Sequence, residues 1–405
     1  MQKVNSIILA LMLAAASPVA AQERSPAGAQ ESVKKARKGA KSKQQEAIAE
    51  PGATSTSPLA LPFKRSWQYL TESASTILPS LDEARIYLPL AGGRAVCLDR
   101  ETGSLLWTSE PGGAISAPIA VGESSVYIAA RKIAEDGSEA GASLRAVDKG
   151  TGLTLWVRDY ERRFTSPLAL GKDRIYVGSS DGSLYALAAK SGEPVWKFAT
   201  QDAVRGRALL SEGAIYFGSD DGALYSIDPE DAKLLWRVQT GGRITGKPAI
   251  DGLFIYFGSG DGYAYSVEAS TGRLRWRSRT GAAIEASPIV VEDRVLVASF
   301  DNFIYALAKE SGDRIWKRRL ENRIAADPLV VGDATMIAPL RGEYVAVFLN
   351  SDGRRVNLYK LEPGFEIVAD PILAGDKLLL STDKGLVVAA TSQAKPHNSR
   401  VIRKK

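Results

Sequence analysis

The chain holds one cysteine and one histidine in 405 residues. The lone cysteine, Cys97, excludes an internal disulfide, a Cys-x-x-Cys redox pair, a covalently held c-type haem and a cysteine-rich zinc site. The lone histidine, His397, stands in a Lys/Arg-rich stretch near the C-terminus, which removes histidine metal clusters and argues against Ser-His-Asp or Cys-His catalysis. No apolar run approaches the ~20 residues that a spanning helix needs, so no transmembrane helix is expected. The run Ile7–Ala16 follows Lys3 and precedes Val19-Ala20-Ala21, the pattern of a secretory signal over residues 1–21. No cysteine stands beside that cleavage site, so a lipid anchor on an N-terminal cysteine is not expected. The reading is an exported protein, periplasmic or otherwise associated with the cell envelope.

Charge is plentiful but unevenly placed. The formal net charge is +6, which by itself would suggest nucleic acid or an anionic surface as partner. Residues 1–60 carry eight Lys/Arg against four Asp/Glu, and residues 391–405 carry five Lys/Arg and no acid. The ends thus contribute +4 and +5, which leaves the residues between them at −3. Residues 22–60, rich in Ala, Ser, Gly, Gln and Lys without apolar periodicity, read as a disordered basic linker. Residues 391–405 read as a second disordered basic tail. Such tails can touch anionic lipid or an acidic partner weakly and with salt sensitivity. Nucleic acid is not an expected partner.

What the chain has in abundance is a repeat. The seven tryptophans are Trp67, Trp107, Trp156, Trp196, Trp236, Trp276 and Trp316, at steps of 40, 49, 40, 40, 40 and 40. The long step holds an extra segment, Arg131–Ala142, and a further step of 40 lands on Val356. Each unit shows four short strand signals, clearest at Pro167–Leu170, Arg174–Gly178, Ser183–Leu187 and Pro194–Phe198. Asp181-Gly182, Asp221-Gly222, Asp261-Gly262 and Asp301-Asn302 supply residues that tolerate positive φ, as a tight turn between second and third strands requires. No unit shows a 3.6-residue period, which excludes helical solenoids. Four strands every 40 residues predict an all-β fold, a propeller of four-stranded blades. After Val356 three strand signals remain without a fourth, and Lys64–Tyr69 is a fourth strand without its predecessors. Pairing them gives an eight-bladed ring over residues 61–390, its last blade closed by the N-terminal strand. In this frame the tryptophans are inter-blade wedges. Cys97 fills a slot in the third strand otherwise held by Ala or Ser, as a buried small residue.

The segments Asp99-Arg-Glu-Thr-Gly-Ser-Leu-Leu-Trp107 and Asp148-Lys-Gly-Thr-Gly-Leu-Thr-Leu-Trp156 resemble the quinoprotein-type (PQQ-like) propeller repeat, with degenerate copies ending at Trp196, Trp276 and Trp316. That repeat serves two groups of proteins. Quinoprotein dehydrogenases hold pyrroloquinoline quinone and calcium, with an adjacent cysteine pair against the cofactor. This chain has a single cysteine and little sequence beyond its strands, so no cofactor is expected. The other group, closer in size, is the BamB family of scaffolds in outer-membrane β-barrel assembly. The latter resemblance implies a non-enzymatic protein that grips envelope proteins, the barrel-assembly machine among them, through loops on one face. A Leu/Arg-Gly loop is a contact element in that family, and the matching stretch here is Ala203-Val204-Arg205-Gly206. Val204 and Arg205 are therefore partner-binding candidates by resemblance. The next loop departs from the family's acidic pattern with Arg243-Ile244-Thr245, and the missing lipid-bearing cysteine is a second departure.

Loops from the fourth strand of one blade to the first of the next should emerge with the second-to-third strand loops on one face. They carry Arg162, Arg163, Arg205, Arg207, Arg243, Arg319 and Arg323. Arg163, Arg243 and Arg323 each lie seven residues past their tryptophan and are expected at equivalent places around the mouth. Such a rim would favour carboxylates; Glu161, Glu285 and Glu321 in the same loops offer the plainer reading of solvated charge. A glycosidase-type acid pair finds little support, because most aspartates stand at turns. Gly258-Ser-Gly-Asp-Gly262 reads as a hairpin turn, since strand residues follow it where a phosphate loop needs a helix. The readings left open are the envelope scaffold, a quinone-dependent oxidoreductase, and a ligand- or glycan-binding sensor.

Overall fold

A computed structural model describes residues 63–392 except 72, 73, 212, 325 and 340. The expected signal, the linker and the tail beyond Ser392 lie outside the described residues. Among the described residues there are no helices, and the strands form eight sheets of four antiparallel strands. Seven sheets are continuous in sequence: blade 1 spans 80–109, blade 2 120–160, blade 3 169–199, blade 4 209–239, blade 5 249–279, blade 6 289–319 and blade 7 329–360. Blade 8 combines Ile372–Ala374, Lys377–Ser381 and Leu386–Ser392 with Phe63–Leu70 as its outer strand, in the register Trp67↔Ala389 and Leu70↔Leu386. The expected eight-bladed propeller, closed by its N-terminal strand, is the observed one.

Blade 3 illustrates why these residues form strands. From the channel outward it runs Ala169–Leu170, Arg174–Gly178, Ser183–Ala188 and Pro194–Ala199. The two middle strands are buried almost throughout, because neighbouring blades cover both faces of the sheet. They read as unbroken apolar runs for that reason. The outer strand has solvent on one edge and alternates. Between the middle strands Asp181 takes the backbone NH of Ser183 at 3.0 Å on one oxygen and the Tyr185 hydroxyl at 2.6 Å on the other. Asp221–Tyr225 and Asp261–Tyr265 repeat this bond at 2.7 Å. The aspartates thus hold turns. The Gly258–Gly262 stretch is one of them, with Ser259 donating to the Tyr263 carbonyl at 3.1 Å. The Arg131–Ala142 segment lengthens the hairpin of Ser125–Ile133 and Glu139–Asp148 in blade 2.

The seams between blades are made by the tryptophans. Each indole NH crosses to a carbonyl in the turn before the next blade's outer strand: Trp67 to Arg100 at 3.0 Å, Trp107 to Lys149 at 3.1 Å, Trp156 to Ala189 at 3.2 Å and Trp196 to Pro229 at 3.1 Å. Trp236 to Ala269, Trp276 to Lys309 and Trp316 to Asn350 continue the series at 2.9, 2.9 and 3.0 Å. The ring lies flat against a tight turn. At Gly312, with φ +76°, a Cβ would come within 2.6 Å of the Trp276 ring, so this position needs both the left-handed conformation and the missing side chain. Opposite each of Trp107, Trp156, Trp196, Trp236, Trp276 and Trp316 stands a small residue of the third strand, and Cys97 is the one facing Trp107. Cys97 is fully buried, which pushes its thiol up to about 12.

Blade 7 corrects the expected spacing. Asn357, not Val356, takes the tryptophan position: Asn357 pairs with Val347 and is buried, while Val356 is exposed. The step from Trp316 is therefore 41. Its extra residue lies between the second and third strands, since Ala334 begins its strand 40 residues after Arg294 of blade 6 and Tyr344 begins its strand 41 residues after Phe303. The residue facing the seam position shifts with it, so that Val347 stands where a step of 40 from Ala306 would put Ala346. Trp276→Ala should lower unfolding stability by about 3–5 kcal/mol through loss of a buried wedge. Asn357→Ala should cost about 1 kcal/mol or less. Urea titrations followed by circular dichroism measure both.

Candidate functional site

The loops joining one blade's outer strand to the next blade's inner strand share one backbone course. The carbonyls of Arg163, Ala203, Arg243 and Ala283 accept from the NH groups of Ser180, Asp220, Gly260 and Phe300 at 3.0, 2.8, 2.8 and 3.0 Å. Arg163 and Arg243 thus occupy equivalent places, as their spacing implies. Their side chains do not stand free. Arg163 pairs with Glu139 of the blade 2 hairpin at 3.3 Å, Arg243 with Glu285 of the next loop, and Arg205 with Asp220 at 2.5 Å. Arg162 bonds the Tyr185 hydroxyl, and Arg323 lies over the Phe300 ring at 5.5 Å. The rim is consequently a band of half-exposed ion pairs, each worth little to stability, and not a bare cationic surface.

Val204 is placed otherwise than the resemblance implies. It is fully buried, lodged between Gly178 of blade 3 and the apolar interior of blade 4 with Ile215 and Phe217. Ile115, Phe164, Ile244, Ile284 and Ile324 are buried at the matching position, eight residues past each tryptophan. Val204 therefore plugs a seam, and its side chain is not offered to a partner. Arg205, one residue on, is half exposed on the rim.

Three residues further, the same loops reach the central channel. Register with the second strands aligns Leu78, Pro118, Pro167, Arg207, Lys247, Ser287, Asp327 and Asp370, two residues before the residue that pairs across in each blade. Seven of them, all but Asp370, line a cavity of about 920 Å3. Asp370 lines a second, of about 880 Å3, which shares Leu78, Pro118 and Pro167 with the first. Side chains in this ring cap the neighbouring blade's backbone. Lys247 NH donates to Ser287 Oγ at 3.1 Å, Ser287 NH to Asp327 Oδ1 at 2.6 Å, and Asp327 NH to Asp370 Oδ2 at 3.1 Å.

The channel is electrically lopsided. Arg207 and Lys247 sit on blades 4 and 5, Asp327 and Asp370 on blades 7 and 8, and Leu78, Pro118 and Pro167 make an apolar arc on blades 1 to 3. Enclosure by protein pulls the Arg207 guanidinium below its ordinary range. Enclosure and the nearby Arg207 charge do the same to Lys247. Enclosure raises Asp327, and enclosure plus the Asp327 charge pushes Asp370 up to about 7.

The family model described as "Outer membrane protein assembly factor BamB" matches residues 63–140, 140–246 and 233–404. The chain belongs to that family. No curated protein matches its sequence. Among solved structures, BamB from Moraxella catarrhalis superposes with a TM-score of 0.70 at 17% identity, covering 82% of this chain and 100% of that one. A computationally designed protein, Ika8, gives 0.68 at 16% identity over 80% and 97%. The quinohemoprotein alcohol dehydrogenase of Comamonas testosteroni gives 0.66 at 12% identity over 82% and 77%. At these identities the likenesses to BamB and to the dehydrogenase concern the fold alone.

Arg207, expected with the rim arginines, stands in the channel instead; the rest of the channel ring escaped the sequence reading, although a signal for it exists. From Trp67 to Trp316 it stands eleven residues past each tryptophan, where Leu, Pro, Pro, Arg, Lys, Ser and Asp differ so much that no shared chemistry is visible. Asp370 carries a pH consequence. Its folded value of about 7 exceeds the ordinary 3.8, so between those limits the folded protein holds a proton that the unfolded chain releases. Stability must fall as pH rises through that window. Asp370→Asn should therefore exceed the parent in stability by about 2 kcal/mol at pH 8, a figure reduced for water in the channel, and match it near pH 4. Chemical denaturation at the two pH values tests this.

Proposed function

We propose that this BamB-family propeller is an exported, non-enzymatic scaffold that binds envelope proteins and takes part in outer-membrane protein assembly. The observation that carries the reading is the family match, which runs through every blade from residue 63 to 404. The loop face supports it. Arg163, Arg205 and Arg243 stand half-exposed there in ion pairs that an acidic partner could exchange for its own carboxylates.

A quinone-dependent oxidoreductase is the second reading, favoured by the likeness to an alcohol dehydrogenase fold. The residues do not fit pyrroloquinoline quinone with calcium. Cys97 is buried inside blade 1 against Tyr87 and Trp107, away from the channel. Among the described residues, no three of His, Cys, Asp and Glu gather where they could hold a metal ion.

A photo-cross-linking residue at Arg205 or Arg163, in cells that make the protein, should capture a component of the barrel-assembly machinery. The same residue at Leu253, exposed on the turn between inner and second strands of blade 5 and hence on the opposite face, should not. Equal capture from both faces, or none above the Leu253 background, overturns the proposal.

A further inference from the structure

The channel ring is unlike the rim in one respect that its other features make meaningful. On the rim, Arg163, Arg205 and Arg243 each have a carboxylate beside them. In the channel, among the described residues, neither Arg207 nor Lys247 has a carboxylate within 4.0 Å, although Asp327 lines the same cavity and Asp370 the adjoining one, which shares Leu78, Pro118 and Pro167 with it. Ser287 stands between the two sets on blade 6, and its hydroxyl is engaged by the Lys247 backbone. Blade order puts Arg207 and Asp370 four blades apart, half the ring. Lys247 and Asp327 feel each other's charge across the cavity, but no direct ion pair joins the cations to the acids.

We propose that the central channel binds a small zwitterionic molecule, a free amino acid or short peptide carrying both a carboxylate and an ammonium group. The carboxylate lies between Arg207 and Lys247, where a guanidinium and an ammonium on adjacent blades present donors to one anion. The ligand's ammonium lies against Asp327 and Asp370, separating two carboxylates that otherwise repel. Its hydrocarbon part faces Leu78, Pro118 and Pro167, the arc that offers no polar side chain. A simple anion would leave the aspartates unrelieved, and a simple amine would leave the cations so. The cavity of about 920 Å3 falls in the range of small-molecule sites. The inference rests on the channel alone and stands or falls independently of the scaffold reading, which concerns the loop face.

Titration calorimetry on the full chain at pH 8 tests it, with the dipeptide leucyl-leucine as probe. N-acetyl-leucyl-leucine keeps only the carboxylate, and leucyl-leucine amide only the ammonium. The zwitterion should bind saturably at one site, and each singly charged form about tenfold or more weakly, the loss expected for one charged contact. Arg207→Gln should weaken leucyl-leucine by a similar factor and leave the amide unaffected; Asp370→Asn should do the reverse, weakening the amide and sparing the acetylated form. No saturable heat with leucyl-leucine up to millimolar concentration overturns the proposal. So does equal binding of the three probes by the unsubstituted protein, a comparison that needs no variant to fold.

Discussion

A blade whose middle strands are buried on both faces cannot stand alone; each sheet needs a neighbour on either side, and only a closed ring gives every sheet two. The rest of the molecule follows from how that ring is fastened. The indole of each tryptophan reaches over one seam and donates to the turn before the next blade's outer strand. Such a joint needs that turn to exist. Blade 8 has none, because its third and outer strands come from opposite ends of the described chain. The tryptophan of blade 7 would have nothing to dock on, and the position is Asn357. This seam depends instead on apolar packing of Val345 and Val347 with Leu378 and Leu380, and on the bond from Asp327 NH to Asp370. An acid of the channel thereby helps to hold the ring at the joint that lacks its usual fastening.

How much of this the sequence reveals depends on whether a position repeats its chemistry or only its place. The tryptophan ladder repeats both, so blade number, strand order and the closing role of Lys64–Tyr69 are legible from it. The small residues facing the tryptophans are legible too, and they settle Cys97 as packing. Val356 misleads because an insertion of one residue between the second and third strands of blade 7 is invisible where no tryptophan marks the end of the unit. Val204 misleads differently. The match to a contact loop singles it out, whereas the apolar residues at 115, 164, 244, 284 and 324 already place it in a buried series. The channel ring repeats its place alone, so only the backbone register joins Arg207 to Asp370.

The outer-to-inner loop is the unit in which fold and function meet. Within four residues it drives an apolar plug into the seam, offers a rim residue, and then turns a side chain into the channel, as Val204, Arg205 and Arg207 do in turn. The plug fixes the other positions. Because Val204 is lodged against Gly178, Arg205 cannot move far along the rim, nor Arg207 leave the channel, without opening the seam between blades 3 and 4. The loop can vary at its exposed and channel positions without cost to the ring, and those are the positions where the blades differ most.

That division also accounts for the charge. The basic excess of the chain belongs to residues 1–60 and 391–405, and the remainder is at −3. Within the propeller the rim arginines Arg163, Arg205 and Arg243 are balanced locally, each by a carboxylate, so this part of the rim presents exchangeable pairs and not a field of one sign. The channel is balanced only in sum. Its cations and its acids stand on different blades, Lys247, Asp327 and Asp370 being tied through Ser287 by bonds from backbone NH to neighbouring side chain, and no direct ion pair joins the two sets. Surface pairs rearrange readily in water, whereas charges built into a rigid ring cannot relax toward one another. The most persistent electrostatic feature of the molecule is therefore the one lining its axis.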